Sequence, residues 1–113
     1  MTEKEKKFLS DISNSIELIE DFIKDLKSFT EYQTDMKTKG AVERHLAIIG
    51  EAVSKFLKES KSNELKYAAQ IISLRNRLVH AYESVDDSII WSIIMRHLTP
   101  LRDEVRMKIQ QGS

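Results

Sequence analysis

"FLSDISNSIELIEDFIKDL", residues 8–26, carries Leu9, Ile12, Ile16, Ile19, Ile23 and Leu26 at spacings that alternate between three and four. That alternation tracks the helical repeat of about 3.6 residues, so the six side chains line one apolar stripe along a first helix. Phe8, Phe22 and Phe29 widen the stripe on one side. So long a seam suits an antiparallel bundle or a contact between subunits equally well.

The same period continues outward. "TEYQTDMKTKG" interrupts it, and Asp35 or Thr38 is placed to cap the next helix. In "AVERHLAIIGEAVSKFL", Val42, Leu46, Ile49, Val53 and Phe56 repeat the helical spacing. Gly50 interrupts that run at a site where glycine costs roughly 1 kcal/mol relative to alanine, which points to close approach of another backbone. "ESKSNE" forms the next connection, with Ser62 or Asn63 as the cap. Leu65, Ala68, Ile72, Val79 and Tyr82 then share a face with Arg75. Ser84 and Asp87 stand at capping-box spacing ahead of a helix through Ile90, Ile93, Ile94 and Leu98. Thr99 and Pro100 read as a cap and first helical position opening a short last helix through Leu101 and Val105. No repeat, low-complexity tract or period-two strand occurs. The expected fold is all-α, an antiparallel four- to five-helix bundle in one domain over residues 1–113.

Composition narrows the function classes. The 113 residues suit one modest core, and 41% hydrophobic residues with three glycines and one proline describe a globular chain. The absence of cysteine excludes disulfides and thiolate metal sites and fits a cytoplasmic setting. No apolar run approaches a membrane span, and "MTEKEKKFLSDI" does not resemble a signal peptide. Eighteen basic residues balance eighteen acidic ones. Bulk electrostatic coating of a polyanion is therefore not expected, and any polyanion must meet a local patch or a composite site.

The densest chemistry lies in "LRNRLVHAY", residues 74–82. Seven positions separate Arg75 from Tyr82, which puts them on one helical face. Asn76 and His80 are one turn apart, so the amide can orient the imidazole. Arg75 and His80 point about 140° apart on an ideal helix. Either the helix loosens near His80, or the two residues converge with a second copy across a subunit interface. Basic residues in a last turn also complement the helix macrodipole, so a purely structural role accounts for much of the cluster. Arg75 resists that account, because a charge on an apolar face needs compensation. Glu51 on the second helix is a candidate partner, and so is an anionic ligand.

Arg75, His80 and Tyr82 spell R-x4-H-x-Y. The pattern resembles the signature of HepT-type toxins, a branch of the HEPN superfamily of helical ribonucleases. "AVERHLAIIGEAV", with its "IGEA", is similar to the second-helix segment of that family, and "VDDSIIWSI" and "LTPL" to its fourth helix and the break after it. The likeness runs from about Ile12 to Leu101. It implies a HEPN-like bundle and a metal-independent endoribonuclease acting on RNA without cofactor, as a homodimer whose site forms where two motif helices meet. It further implies the toxin half of a toxin–antitoxin system, with an MntA-like nucleotidyltransferase antitoxin that transfers AMP to Tyr82.

Within that resemblance the chemistry suits the residues. His80 is expected as general acid or base and Arg75 as clamp on the phosphate and its transition state. Asn76 is expected to orient His80, and Arg77 to add an auxiliary phosphate contact. AMP on Tyr82 would fill the phosphate site with a bulky anion. The alternative is a non-catalytic HEPN-type module that holds a nucleotide and binds a nucleotidyltransferase. His45 and His97 lack neighbours at metal-ligand spacing and are expected in surface or interhelical roles.

Overall fold

The computed structural model describes residues 1–60, 64–80 and 86–112, with Val79 and His80 described by backbone alone. Among the described residues the chain forms six helices and no strand: α1 (Glu3–Ile23), α2 (Phe29–Thr34), α3 (Met36–Glu59), α4 (Ala69–His80), α5 (Asp87–Arg96) and α6 (Leu98–Gln111). The all-α expectation holds, and the count exceeds the expected four or five by the short α2.

Helix α1 opens on a capping box. Thr2 Oγ1 accepts from the Glu5 backbone N–H at 3.1 Å, and its hydroxyl donates to Glu5 Oε1 at 3.2 Å. Leu9, Ile12, Ile16 and Ile19 are fully buried beneath the rest of the bundle. The helix ends at Ile23, short of the stripe's last member, Leu26. Ser28 turns the chain into the next helix: its Oγ accepts from the Glu31 N–H at 3.2 Å, while Glu31 Oε2 accepts from the Lys27 N–H at 3.2 Å. These bonds start α2 instead, and α2 inserts Tyr32 into the core against Trp91, with ring centroids 5.3 Å apart. Asp35 then caps α3, accepting from the Thr38 N–H at 3.0 Å and the Thr38 hydroxyl at 2.7 Å.

Helix α3 is the central element. It lies antiparallel to α1, because residues 7–11 face residues 47–55 while Phe22 meets His45. Val42, Leu46, Ile49, Val53 and Phe56 are all fully buried, as their spacing requires. Helix α6 also runs antiparallel to α1: Glu20 accepts from Arg102 at 2.7 Å, and Glu17 from Arg106 one turn farther along.

Three boundaries differ from expectation, each for a local reason. Helix α4 starts only at Ala69, because Glu104 of α6 accepts from the backbone N–H groups of Lys66 at 2.7 Å and Tyr67 at 3.3 Å. Among its described side chains Ile71 and Leu74 are buried, and Ile72 is half-buried. The core face is therefore rotated from the predicted Ile72 stripe, and Arg75 stands at its margin rather than in its middle. Asp86 caps α5 by accepting from the Ser88 N–H at 2.9 Å, and those bonds hold its carboxyl below the usual range. The Ser84 box, like the Ser62 and Asn63 caps, lies outside the described residues. Helix α6 begins at Leu98 with His97 at its cap and no side-chain cap bond, so Thr99 is not the cap and Pro100 is the third helical residue. Proline is tolerated there because the N–H it lacks has no acceptor within the first turn.

Leu46 is fully buried on α3 beneath α1. Leu46→Ala is expected to lower unfolding free energy by about 2–5 kcal/mol, measured by urea denaturation.

Candidate active site

The site begins with a glycine. A Cβ built at Gly50 would fall 2.5 Å from Arg75 Cγ and closer still to Arg75 Cβ. The carbons it would strike are the rigid base of the side chain and not its mobile tip. Gly50 therefore lets α4 lie against α3 at Arg75, and Arg75 fills the space that any other residue would need. One residue on, Glu51 accepts a hydrogen bond from Arg75 Nη2, forming an ion pair between the two helices. Arg75 Nη1 donates to Asn76 Oδ1 at 3.0 Å, and its Nε is buried with no hydrogen-bond partner among the described residues. The Arg75 side chain is 24% exposed, so the guanidinium is fixed by neighbours yet open on one side. Lys55 approaches Glu51 at 3.7 Å.

This arrangement can do one thing well. A planar guanidinium, held from behind by a carboxylate and partly open to solvent, presents N–H donors to an incoming oxyanion. Phosphate and carboxylate both match that fork.

The other expected residues are placed as follows. Asn76 turns its carbonyl oxygen to Arg75, on the turn below position 80. Arg77 lies away from Arg75, lining a separate cavity of about 330 Å³ between α4 and α5 with Gln70, Ser73 and Ile93. The structure thus does not bring Arg75 and Arg77 together. His80 is the last residue of α4, which stays α-helical through it. Positions 75 and 80 therefore keep their separation of about 140° around the axis, and loosening of the helix does not unite them. Tyr82 lies outside the described residues. His45 is an interhelical residue, its Nδ1 3.4 Å from Ser15 Oγ and its ring 5.6 Å from Phe22. Burial, and then the nearby Arg44, pulls its pKa down. His97 sits between α5 and α6.

Two features escaped the sequence. Arg75 forms one wall of a cavity of about 360 Å³ between α1 and α3 that Lys7, Phe8 and Lys55 also line. On the far side, Lys39 pairs with Asp87 at 2.7 Å, with both side chains less than 20% exposed, tying α3 to the first residue of α5. Burial and Asp87 raise the Glu43 carboxyl beside that pair, and burial raises the Tyr32 phenol, whose hydroxyl has no partner among the described residues. Nothing in one dimension links positions 39 and 87. The Glu51–Lys55 spacing of four was the available signal for the first cavity.

Comparison with known proteins bears on this geometry. A sequence model of the family described as Ribonuclease HepT-like matches residues 12–107. The chain is 34% identical over 104 residues to a Thermococcus cleftensis protein named probable ribonuclease HepT, covering 90% of this chain and 93% of that one. Two further relatives carry provisional RNase names. One, from Caldanaerobacter subterraneus subsp. tengcongensis, is 30% identical over 105 residues, covering 92% and 93% of the two chains. The other, from Methanocaldococcus jannaschii, is 39% identical over 90 residues, covering 78% and 73%. No solved structure matches the chain at comparable significance.

The two glycines of α3 make opposite predictions. Gly50→Ala is expected to destabilise by about 1–3 kcal/mol through overpacking against Arg75, despite alanine's better helix propensity. At Gly40 a Cβ meets nothing within 4 Å, so Gly40→Ala is expected to stabilise by up to about 1 kcal/mol. Thermal or urea denaturation of the pair decides both signs.

Proposed function

The chain belongs to the HepT-like ribonuclease family, and from that premise we propose that it is a metal-independent endoribonuclease whose site is composed from two protomers. One observation carries the proposal. Arg75 is built into the α3–α4 contact by Gly50 and Glu51, with its open side free for phosphate, and it begins an intact R-x4-H-x-Y motif. A structural arginine would need the ion pair alone. The glycine beneath it and the partial exposure suit an arginine positioned for a ligand.

Each residue then has a role. Cleavage without a metal requires removal of the 2′-hydroxyl proton, in-line attack of that oxygen on phosphorus, and protonation of the departing 5′-oxygen. The products are a 2′,3′-cyclic phosphate and a 5′-hydroxyl. Histidine titrates near neutrality and serves as base or acid, and a twofold cleft supplies one His80 from each protomer for the two tasks. Arg75 clamps the phosphate and offsets the charge that builds on its oxygens. Asn76 is the orienting neighbour of His80 and Arg77 an auxiliary contact on the RNA backbone. The separation of positions 75 and 80 on a continuous helix supports the composite site, because a second α4 can bring the complementary residue across the interface.

Regulation follows from the same motif. Transfer of AMP to Tyr82 by an MntA-like nucleotidyltransferase would place a bulky anion two residues beyond His80, where RNA must enter, and silence the toxin by repulsion and steric exclusion. The alternative is a quiet module that holds nucleotide and binds the transferase without cutting RNA.

Cleavage of single-stranded RNA in EDTA, compared with His80→Ala prepared identically, tests the proposal. The native chain is expected to leave cyclic-phosphate ends and His80→Ala intact RNA with an unchanged denaturation curve. Intact RNA from both, with Tyr82 bare by mass spectrometry, favours the binding module.

A further inference from the structure

The cavity behind Arg75 has a shape and chemistry that the catalytic motif alone does not use. It is an open groove of about 360 Å³ between the start of α1 and the second half of α3, with Arg75 as one wall. Small-ligand sites span roughly 300–1,000 Å³, so this one has room for a single nucleotide and none for a duplex. Its apolar side is Phe8, half-buried on the core, and Ile48, 37% exposed. Its rim carries Lys7 and Lys55. Together with Arg75 they set three cations against the two carboxylates of Asp11 and Glu51.

Those carboxylates do not close the site. The Lys7–Asp11 pair, at 3.0 Å, joins side chains 70% and 40% exposed, and the Lys55–Glu51 pair is looser at 3.7 Å. Exposed pairs of this kind contribute little, and phosphate oxygens compete for the same ammonium groups. An aromatic ring with exposed lysines and a fixed arginine around one groove is a combination that holds unpaired nucleic acid: the ring takes a base face and the cations take the backbone.

We infer that this cavity is a subsite for one unpaired nucleotide of RNA adjacent to the scissile phosphate, with its base on Phe8 and its flanking phosphates on Lys7 and Lys55. The inference rests on the ribonuclease proposal and adds to it a preference for single strands, set by residues outside the R-x4-H-x-Y motif. Arg75 holds the scissile phosphate, and the subsite fixes which neighbouring nucleotide stands next to it.

The test uses the full chain carrying His80→Ala, to prevent turnover, and a fluorescent single-stranded oligoribonucleotide titrated at several salt concentrations. Added Lys7→Ala or Lys55→Ala is expected to lower the slope of log affinity against log salt by about 0.7 each. Phe8→Leu is expected to weaken binding on the order of tenfold with the slope unchanged. Lys24→Ala, at the far end of α1 and outside the cavity, serves as control. If all three variants match that control while the native chain cleaves RNA, the subsite is wrong and the ribonuclease proposal stands. If free AMP displaces the oligonucleotide as well as unlabelled RNA does, the cavity is a mononucleotide site and the inference is overturned. A His80→Ala chain that binds no single-stranded RNA, beside a native chain that cuts none, overturns both.

Discussion

The contact between Gly50 and Arg75 is the constraint on which the rest of the structure depends. Two helices approach closely only where one surrenders a side chain. Here α3 does so at the residue before Glu51, so the carboxylate is delivered to the guanidinium in the same step. The bundle around it supplies the rigidity. Helix α1 is zipped to α3 by a fully buried stripe, and α6 is anchored on α1 by Glu20–Arg102 and Glu17–Arg106. Glu104 of α6 then sets where α4 can begin by holding two backbone N–H groups.

Arg75 is a costly residue to place at a helix contact. Removing a charge from water is costly, and a single ion pair at a half-exposed site returns little of that cost. Gly50 and the paired Glu51 carboxylate fix the guanidinium in place, which suits the phosphate clamp proposed for Arg75. Electrostatic preorganisation of that kind is what the proposed metal-free cleavage needs from its protein, since the reacting bonds belong to the RNA itself.

Much of this was legible in one dimension. Leu9, Ile12, Ile16 and Ile19 of α1 and Val42, Leu46, Ile49, Val53 and Phe56 of α3 are buried as the three-and-four spacing requires, while Ile23 and Leu26 are only half-buried. Gly50 announced a close approach before any partner was known. The family likeness rested on Arg75, His80, Tyr82 and "IGEA", and the match over residues 12–107 agrees with it. What periodicity missed was competition between local hydrogen bonds. Ser28 and Glu31 stop the first stripe and start α2, although the apolar spacing runs on to Leu26. Asp86 outcompetes its neighbours as a cap through Ser88, and Leu98 begins α6 ahead of Thr99. The rotation of α4 and the Lys39–Asp87 pair arise between segments far apart in sequence, where no spacing rule reaches. The cavity beside Arg75 escaped for the same reason, since Phe8 reads as an ordinary member of a helical stripe until α3 is laid beside it.

In the proposed function the α3–α4 contact presents a planar guanidinium to phosphate. Single-turnover cleavage of RNA by Arg75→Lys tests it most directly, because lysine keeps the charge, packs its methylenes over Gly50 and loses only the fork. The account predicts that this variant still binds RNA and unfolds like the native chain, while its cleavage rate falls on the order of 100-fold or more. Cleavage at the native rate would contradict it, and would leave Arg75 as a packing residue with a charge that serves no step.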